Sequence, residues 1–434
     1  MHYEKFQDGT VKCIEDEIPF EVPEGWCWAR FLAITINRDS ERKPISASQR
    51  TDVEKIYDYY GASGKIDKID KYIFDEKLLL IGEDGANLVT RSKPIAFFAE
   101  GKYWVNNHAH CIDSPDKSIL QFICFFINAI NLEKYVTGSA QPKMTQDNMN
   151  SILVALPPYK EQQLISQQLD IIWASIDKIE FEKENVLKLV DNAKSKILDL
   201  AIRGKLVSQD SNDEPASVLL ERIRAEKEEL IKQGKIKCDK KESVIFKGDD
   251  NSYYGIHLPD SWNWASLREI ALSISDGSHN PPPNNGSGIP LLSAANINDN
   301  SILMNEISRW ITNEEWKIEN QRTNIEVGDV LLTIVGSIGR SAVVQNNNHF
   351  ALQRSVAVIK PCLINPLYLM HIVQSPQIQK WLTDNSKGTA QKGIYLNALS
   401  LMIIPIPPLA EQARIVEHIH IAYKHLDLIS NALL

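Results

Sequence analysis

Leu156-Pro157-Pro158-Tyr159-Lys160-Glu161-Gln162-Gln163-Leu164-Ile165-Ser166 is the stretch that decides the fold, because the chain contains it twice. The second copy, residues 406–416, reads Ile-Pro-Pro-Leu-Ala-Glu-Gln-Ala-Arg-Ile-Val, 250 positions later. The same spacing relates Gly138-Ser139-Ala140-Gln141 to Gly388-Thr389-Ala390-Gln391, and Asp177 to Asp427. An internal repeat that needs no gap over this distance predicts two similar structural units.

A second repeated landmark lies near the start of each unit. Val22-Pro23-Glu24-Gly25-Trp26-Cys27-Trp28 matches Leu258-Pro259-Asp260-Ser261-Trp262-Asn263-Trp264, 236 positions later. Between the landmarks, apolar and β-branched runs predict strands at 78–81, 95–98, 330–335 and 356–359, and helices are expected at 116–131 and 366–384. Each unit is therefore predicted to be a mixed α/β (α+β) globule of about 150 residues.

The repeated Pro-Pro starts a helix, since proline is tolerated in a first helical turn and a glutamate is favourable there. In the first copy, steps of four and three residues reach ten apolar positions out of eleven, which is typical of a coiled-coil seam. The eleven positions, all apolar except Lys183, are Ile165, Leu169, Ile172, Ile176, Ile179, Lys183, Val186, Val190, Ala193, Ile197 and Leu200. Gly204 is the predicted stop, so the helix is expected to be about 70 Å long.

The second helix follows the same steps through Ile415, Ile419, Ala422, Leu426, Ile429 and Leu433. Two half-seams in one polypeptide predict an antiparallel two-helix coiled coil between the globules. The alternative is two independent amphipathic helices, each packed on its own globule. By the 250-residue spacing Leu434 corresponds to Glu184, so the second helix lacks a counterpart of 186–206 and the distal part of the first is expected to be unpaired or bound elsewhere.

These landmarks predict five segments. A first globule covers 1–156, a central helix 157–205, a charged connector 206–250, a second globule 251–405 and a short C-terminal helix 406–434. Within the connector, the charged stretch 216–232 is interpreted as a solvated helix.

Composition narrows the class of protein. A hydrophobic content of 43% and a charged content of 24% are ordinary for a globular protein, and no apolar run is long enough to span a membrane. The six cysteines show no Cys-x-x-Cys spacing, which favours buried reduced thiols over disulfides or zinc ligands. We therefore expect a cytoplasmic protein. The net charge of −9 argues against a free-standing DNA binder unless basic residues are clustered or partners supply phosphate contacts.

Three stretches resemble catalytic motifs, and none completes one. Residues 156–159, Leu-Pro-Pro-Tyr, have leucine where an amino-methyltransferase needs a polar residue to bind the target amine. His108 and His110 have no matching ligand set nearby in sequence and are interpreted as the two faces of one strand. The turn 336–340 lacks the Lys-Ser/Thr ending of a phosphate loop. We predict no catalytic residues, no metal site and no cofactor on this chain.

The order of these features resembles the specificity subunit of type I restriction-modification systems over essentially the whole length. The resemblance rests on the repeated helix starts and on four further stretches within the globules. These are Tyr59-Tyr60-Gly61-Ala62-Ser63-Gly64, Leu79-Leu80-Ile81-Gly82-Glu83-Asp84-Gly85, Asp276-Gly277-Ser278-His279-Asn280-Pro281 with Gly288-Ile289-Pro290-Leu291-Leu292-Ser293, and Gly328-Asp329-Val330-Leu331-Leu332 through Gly339-Arg340.

The resemblance implies a non-catalytic subunit with two target-recognition domains, each reading one half of a split, asymmetric site in double-stranded DNA. The paired helices would set the spacing between half-sites and bind two modification subunits. S-adenosylmethionine would then bind to those subunits, and ATP with Mg²⁺ to the restriction subunits that join the complex. No membrane partner is implied.

Base edges and phosphates are contacted mainly by basic, amide and hydroxyl side chains. In the first globule the predicted DNA contacts are Tyr60, Ser63, Arg91, Lys93 and Lys143. In the second they are Ser278, His279, Asn280, Arg340, Arg354 and Lys392. Because the globules differ strongly between their landmarks, two different half-site sequences are expected.

Two other functions stay open. The runner-up is a coiled-coil scaffold whose globules bind proteins, and it differs from the leading hypothesis in needing no local basic surface. A stand-alone methyltransferase or nuclease requires cofactor or metal residues that the sequence does not show.

Overall fold

The computed structural model describes residues 1–51, 53–138, 140–236, 252–388 and 392–433. Its contacts divide the chain into two compact units, unit 1 from Met1 to Glu180 and unit 2 from Phe181 to Leu434. Each unit contains strands and helices, so the predicted mixed α/β class with two similar globules and a long intervening helix is confirmed.

Unit 1 contains twelve described strands and the first part of a long helix. The strands are β1 (Tyr3–Lys5), β2 (Val11–Cys13), β3 (Cys27–Arg30), β4 (Ile36–Asn37), β5 (Tyr57–Gly61), β6 (Gly64–Ile69), β7 (Phe74–Asp75), β8 (Leu78–Gly82), β9 (Ala96–Ala99), β10 (Lys102–Val105), β11 (Ala109–Asp113) and β12 (Leu153–Leu156). The helices are α1 (Phe31–Ile34), α2 (Asn87–Thr90), α3 (Ile119–Ala129), α4 (Gln146–Asn150) and α5 (Tyr159–Ile202). Short 3-10 turns lie at Glu15–Glu17, Asp39–Glu41, Ser48–Arg50 and Glu133–Tyr135.

Two four-stranded sheets form the body of unit 1, in the orders β4-β11-β8-β9 and β6-β5-β10-β7. Alternate residues of β8 face opposite sides of the first sheet: Leu79 and Ile81 pack with α3, while Leu78 and Leu80 pack with β10. This double burial explains why 78–81 is an uninterrupted apolar run. A separate two-stranded sheet pairs β3 with β12.

Unit 2 contains the rest of α5, thirteen described strands and seven further helices. The strands are β13 (Ser252–Tyr253), β14 (Ile256–His257), β15 (Asn263–Ser266), β16 (Ala271–Asp276), β17 (Ile289–Leu292), β18 (Ile297–Asn298), β19 (Ser301–Ile302), β20 (Trp310–Ile311), β21 (Val330–Thr333), β22 (Ser341–Val343), β23 (Ala351–Leu352), β24 (Val356–Pro361) and β25 (Ile403–Ile406). The helices are α6 (Ala216–Lys232), α7 (Leu267–Ile270), α8 (Asn313–Thr323), α9 (Pro366–Val373), α10 (Pro376–Asp384), α11 (Leu396–Ser400) and α12 (Leu409–Leu433).

The sheets of unit 2 repeat those of unit 1. The antiparallel order β16-β24-β21-β22 corresponds to β4-β11-β8-β9, and the parallel pair β17–β23 corresponds to β5–β10. The pair β15–β25 has the register of β3–β12: Ser266 lies opposite Ile403 as Arg30 lies opposite Leu153. The repeat in sequence is therefore a repeat of topology.

The predicted strands and helices are found close to their expected positions, except that one predicted helix is divided into two. The region 366–384 forms two helices instead of one, because α9 ends before Ser375 and Pro376 begins α10. A proline inside a continuous helix would remove a backbone hydrogen bond and clash with the preceding turn. The central helix α5 has 44 residues, about 66 Å, and ends two residues before Gly204, as predicted.

The predicted seam is only partly formed. Ile172, Ile176 and Ile179 are exposed, so the prediction that these side chains are buried in a helix pair is wrong for the chain alone. Ile165 instead packs against the core of unit 1, and Leu169 is half-buried. In this half of α5, packing on its own globule replaces the predicted coiled coil.

The distal half of α5 is the part that pairs, contrary to expectation. Val190, Leu198 and Ile202 are buried within unit 2. Lys194 Nζ lies 2.6 Å from Asp427 Oδ1 of α12, and the Lys194 carbonyl accepts a hydrogen bond from Tyr423.

The start of α12 lies at the other end of this pair, so the two helices run antiparallel. Trp262 packs beside Gly204, just beyond the end of α5, and bonds Glu411 in the first turn of α12. Ile415 and Ile419 enter the unit 2 core, where α12 packs on α9, while Leu426 is half-buried and Ile429 exposed.

The charged stretch 216–232 is helical, as predicted, but it is not a solvated connector. Leu219, Leu220 and Ile223 of α6 are at most 2% exposed and belong to the core of unit 2. Its charges are used locally as well, because Arg224 binds Glu269 at 2.6 Å. Residues 237–250 of the predicted connector lie outside the described residues.

None of the described helices combines the length and apolar content needed to cross a membrane. Among the cysteines, Cys111, Cys124 and Cys362 are buried free thiols, as predicted. Cys13 and Cys27 are exposed free thiols, which corrects the expectation for those two positions. Cys238 lies outside the described residues.

Candidate nucleic-acid interface

In both units, four chain segments meet at one edge of the sheets, and we call this place the loop edge. In unit 2 it consists of residues 278–280, 334–340, 353–355 and 392–393. In unit 1 it consists of residues 60–63, 83–85, 106–108 and 142–143. Corresponding backbone hydrogen bonds hold both edges together, so the loop edge is part of the repeated frame.

Backbone bonds bring all six predicted residues of unit 2 onto four neighbouring segments. The Arg354 amide donates to the Ser278 carbonyl at 2.9 Å, and the Ile334 amide donates to Ser355 at 2.9 Å. The Gly336 amide donates to the Lys392 carbonyl at 3.0 Å. Arg340 follows the same turn, where its amide donates to Thr333 Oγ1.

The side chains at this edge are unequal candidates for a DNA contact. Arg354 and Lys392 are exposed, and in the described part of the chain neither guanidinium nor ammonium has an ion-pair partner. Asn280 is also exposed. Ser278 is 6% exposed, so its role is in the backbone bridge to Gln353 instead of at the surface. These positions leave two uncompensated positive charges on one edge.

His279 and Arg340 have internal partners. His279 Nε2 lies 2.8 Å from Asp276 Oδ2, and the guanidinium of Arg322 binds the other oxygen of Asp276. Arg340 is half-buried and its guanidinium donates to the Ile297 carbonyl at 3.4 Å. His279 is exposed and held by Asp276, whereas Arg340 is part of the turn 334–340.

The loop edge of unit 1 is built in the same way from different side chains. The Glu83 amide donates to His108 O at 2.9 Å, Gly85 to Pro142 O at 3.0 Å, and Asn106 to Tyr60 O at 3.1 Å. Gly82 lies against this junction, because a Cβ there would stand 2.6 Å from the Ala62 carbonyl oxygen. Close approach of backbones is the reason that this position is glycine.

Three of the five predicted residues of unit 1 lie at this edge. Ser63 is in the turn between β5 and β6, and Tyr60 stacks on Phe97, with burial raising the pKa of its hydroxyl. Lys143 Nζ is 3.1 Å from Glu83. Asp84 binds His108 at 2.7 Å, so this edge carries paired charges where unit 2 carries unpaired ones.

Arg91 and Lys93 lie elsewhere. The Arg91 guanidinium donates to the carbonyls of Ile127, Asn128 and Ile130, which end α3. A cation at the negative end of a helix satisfies carbonyls that have no intrahelical partner. The structure gives Arg91 this capping role in place of the predicted DNA contact. Lys93 is exposed in the loop that follows α2.

Sequence reasoning missed a buried ionic network behind the unit 1 edge. His110, whose side chain is 1% exposed, places Nδ1 2.5 Å from Asp39 Oδ2 and Nε2 3.0 Å from the Met144 carbonyl. Arg42 bridges Glu83 Oε2 at 2.6 Å and Asp39 Oδ2 at 3.1 Å. His108 precedes β11, so the interpretation of the two histidines as two faces of one strand is wrong.

Asp39, Glu83 and His110 are also close enough to share a metal ion, contrary to the expectation that no ligand set lies nearby. Arg42 and Lys143 already occupy the carboxylate oxygens, which favours an ion-pair network. Burial opposes the ionisation of both carboxyls. The hydrogen bond from His110 nevertheless lowers the pKa of Asp39, and the one from Arg42 lowers the pKa of Glu83.

The repeated Gly138–Gln141 and Gly388–Gln391 motifs adjoin the two edges. The flanking bridges are equivalent, Thr137 with Lys143 and Lys387 with Gly393. Gly138 and Gly388 both have positive φ, which favours glycine. Ser139, Thr389, Ala390 and Gln391 lie outside the described residues.

Comparison with known proteins finds relatives among the specificity subunits of type I restriction enzymes. The chain is 26% identical to the Type I restriction enzyme EcoEI specificity subunit of Escherichia coli, over 99% of this chain and 83% of that protein. It is 26% identical to the Type I restriction enzyme EcoBI specificity subunit of Escherichia coli, over 70% of this chain. That match spans 58% of the length of the relative.

Among solved structures, one described as "Structural basis underlying complex assembly and conformational transition of the type I R-M system" contains a chain that matches this one with a TM-score of 0.56. It covers 96% of this chain and 94% of its own length at 17% identity, so the likeness is one of fold. The sequence profile described as "Type I restriction modification DNA specificity domain" matches residues 35–189 and 259–433, most of both units. The chain therefore belongs to the type I restriction-modification DNA specificity domain family.

Proposed function

We propose that this chain is the DNA-recognition subunit of a type I restriction-modification complex, with each unit reading one half of a bipartite, asymmetric site. The observation that carries the proposal is the loop edge. Corresponding backbone hydrogen bonds form it in both units, but its side chains differ between them. Family membership supports recognition of DNA sequence. The difference between the two edges supports two different half-sites.

The charges at the edges account for DNA binding by a chain whose net charge is −9. Arg354 and Lys392 supply unpaired positive charge in unit 2, where a phosphate or a guanine edge would be their natural partner. At the unit 1 edge, Tyr60, Ser63, Asp84 and His108 offer hydroxyl, carboxylate and imidazole groups. We therefore assign tighter phosphate binding to unit 2 and mainly base-edge contacts to unit 1.

The helix α5 serves in this proposal as the spacer between half-sites. Its 44 residues make a helix of about 66 Å. The exposed apolar residues between Ile171 and Phe181 are the surface that we assign to two modification subunits. Those subunits would bind S-adenosylmethionine, and restriction subunits joining the complex would bind ATP and Mg²⁺. The proposed site of action is the cytoplasm, where the DNA is.

The test is a genome-wide map of N6-methyladenine in a host with and without the coding sequence of this chain. We expect a motif of two short half-sites that disappears with the chain. An unchanged methylation pattern, with the cognate modification subunit present, contradicts the proposal and favours a protein-binding scaffold. Stoichiometric binding of S-adenosylmethionine to the isolated chain would instead favour a methyltransferase.

Variants at the loop edge connect the map to the structure. Arg354→Ala with Lys392→Ala should weaken DNA binding by the assembled complex and reduce the slope of log affinity against log salt by about 1 to 2. Lys232→Ala is the control, because Lys232 is an exposed lysine of unit 2 in the last turn of α6, outside the loop edge. Equal loss in both proteins argues against an edge-specific contact.

A further inference from the structure

One face of unit 2 is covered by a helical cap, which we define as residues 203–232. Under this cap Trp262, Glu269 and Glu411 are at most 3% exposed. The cap begins after α5, and it includes α6 with its buried stripe of Ala216, Leu219, Leu220 and Ile223.

Polar contacts fix the cap at both ends. At its start, Gln209 donates to Glu411 at 2.6 Å, and Asp213 binds Arg414 at 2.5 Å. Towards its end, Arg224 binds Glu269, and Lys227 Nζ donates to the Arg268 carbonyl at 3.0 Å. Helix α6 has 17 residues and is about 26 Å long, so the covered face is long.

Unit 1 repeats this face. Strand β3, helix α1 and strand β12 correspond to β15, α7 and β25, and both helices that follow begin with Pro-Pro. The counterparts of Arg268, Leu272 and Arg414 are Leu32, Ile36 and Leu164. Their exposed fractions are 59%, 44% and 60%. The face that the cap covers in unit 2 is therefore exposed in unit 1. We call this surface of unit 1, which includes Leu32, Ile36 and Leu164, the open face.

The open face also differs in chemistry from its counterpart. Glu269, which binds Arg224 in unit 2, is replaced by Ala33, and both arginines of the covered face are replaced by leucines. Exposed leucines and isoleucine at positions that the same fold covers elsewhere indicate a surface suited to an apolar partner. A helix that binds here needs apolar residues with the spacing of the buried stripe of α6. It also needs apolar residues at the positions of Asp213 and Arg224, because their charged partners in unit 2 are replaced by Leu164 and Ala33 in unit 1.

We propose that the open face of unit 1 is a docking surface for an amphipathic helix of a partner polypeptide, seated as α6 is seated on unit 2. The α6 contacts define the chemistry of that helix. It carries leucine or isoleucine with the spacing of residues 216, 219, 220 and 223, and a lysine one turn later that binds the last carbonyls of α1. The surface is separate from the loop edge, so this proposal stands or fails independently of DNA recognition.

The probe is a labelled peptide with the sequence of residues 213–234 in which Asp213 and Arg224 are replaced by leucine. Its binding to the full chain is followed by fluorescence anisotropy. We expect micromolar affinity, weakened about tenfold or more by Leu32→Glu, since the charge would be buried against an apolar helix. The unsubstituted peptide should bind more weakly than the leucine peptide.

Val89→Glu is the matched control, because Val89 is 56% exposed in unit 1 and lies on α2. Circular dichroism should show that both variants remain folded, as expected for exposed positions. No binding at millimolar peptide, or equal losses in L32E and V89E, overturns the proposal. If the chain alone forms dimers that L32E dissociates, the occupant is a second copy and the partner helix is excluded.

Discussion

The side-chain amide of Gln162 donates a 2.7 Å hydrogen bond to the carbonyl of Pro157, and Gln412 makes the same bond to Pro407 at 3.1 Å. Each glutamine lies in the first turn of a long helix and reaches back to the residue at which the preceding strand has just ended. The bond fixes the angle between strand and helix. Its repetition explains why Pro-Pro and Gln recur together 250 positions apart.

Replacing Gln412 by leucine should destabilise unit 2 by about 1 to 3 kcal/mol, because two buried groups lose their partner. Gln412 is 0% exposed, and its Oε1 also accepts from the Asn365 amide at 2.9 Å. Labelling of the buried thiol Cys362 during urea unfolding reports on this unit. Gln163→Leu, at an exposed position, is the control and should change stability by less than about 0.5 kcal/mol.

The two repeated landmarks of unit 2 are joined by one bond, from Trp262 Nε1 to Glu411 Oε2 at 2.9 Å. Trp262→Phe should cost about 2 kcal/mol, since the carboxylate loses one of its two hydrogen bonds among the described residues and keeps the one from Gln209. Burial already raises the pKa of Glu411, and the tryptophan bond lowers it, so the variant should raise this pKa further.

The pH dependence follows from that direction. A carboxyl whose folded pKa is raised is most favourable to folding when protonated, so its contribution is lost as pH rises through the folded value. The deficit of Trp262→Phe relative to the unmodified chain should therefore be larger at pH 7 than at pH 4. Trp173→Phe, at a side chain that is 53% exposed, should show no such difference.

Many of the helices and strands of both units are predictable, because the sequence patterns that indicate them are local or repeated. Proline pairs, apolar runs and 3.6-residue periodicity locate α5, β8 and β21 within a few residues. The equivalence of the units follows from identical spacing. Helix α6 is predicted from its sequence to be solvated, because it is rich in Glu and Lys. Its buried residues Leu219, Leu220 and Ile223 are too few to change that composition, although they pack in the core of unit 2.

The parts that were not predictable depend on contacts between distant residues. Asp39 and His110 are 71 positions apart, and strand alternation gives no information about which carboxylate a buried histidine meets. The same holds for the division of the seam. Heptad spacing marks Ile172 and Val190 alike, but only tertiary packing decides that the first is exposed and the second buried.

Arg91→Ala should destabilise unit 1 without changing the DNA sequence that is methylated. Its guanidinium serves three carbonyls at the end of α3, so truncation leaves half-buried acceptors unpaired, at a cost of about 1 to 3 kcal/mol. Urea unfolding monitored by labelling of Cys124, a buried thiol of α3, measures the loss.

Lys93→Ala is the paired control for that loop, since the Lys93 side chain is exposed. It should leave Cys124 labelling unchanged. A shifted methylation motif in Arg91→Ala, at unchanged stability, would return Arg91 to the DNA-contacting residues.

Asp39→Asn should destabilise unit 1 by about 3 kcal/mol, because it removes a charge from a network that buries His110, Arg42 and Glu83. The folded pKa values of Asp39 and Glu83 lie below their ordinary values of 3.8 and 4.5. A lowered carboxyl pKa stabilises the fold fully above the unfolded value, and this stabilisation is lost as pH falls through the folded one. The deficit of Asp39→Asn should therefore shrink below about pH 4. Urea unfolding between pH 3 and 7 tests this, with Asp75→Asn, an exposed surface carboxylate, as the control. A deficit that stays constant down to pH 3, or that Asp75→Asn matches, would contradict the role assigned to the network.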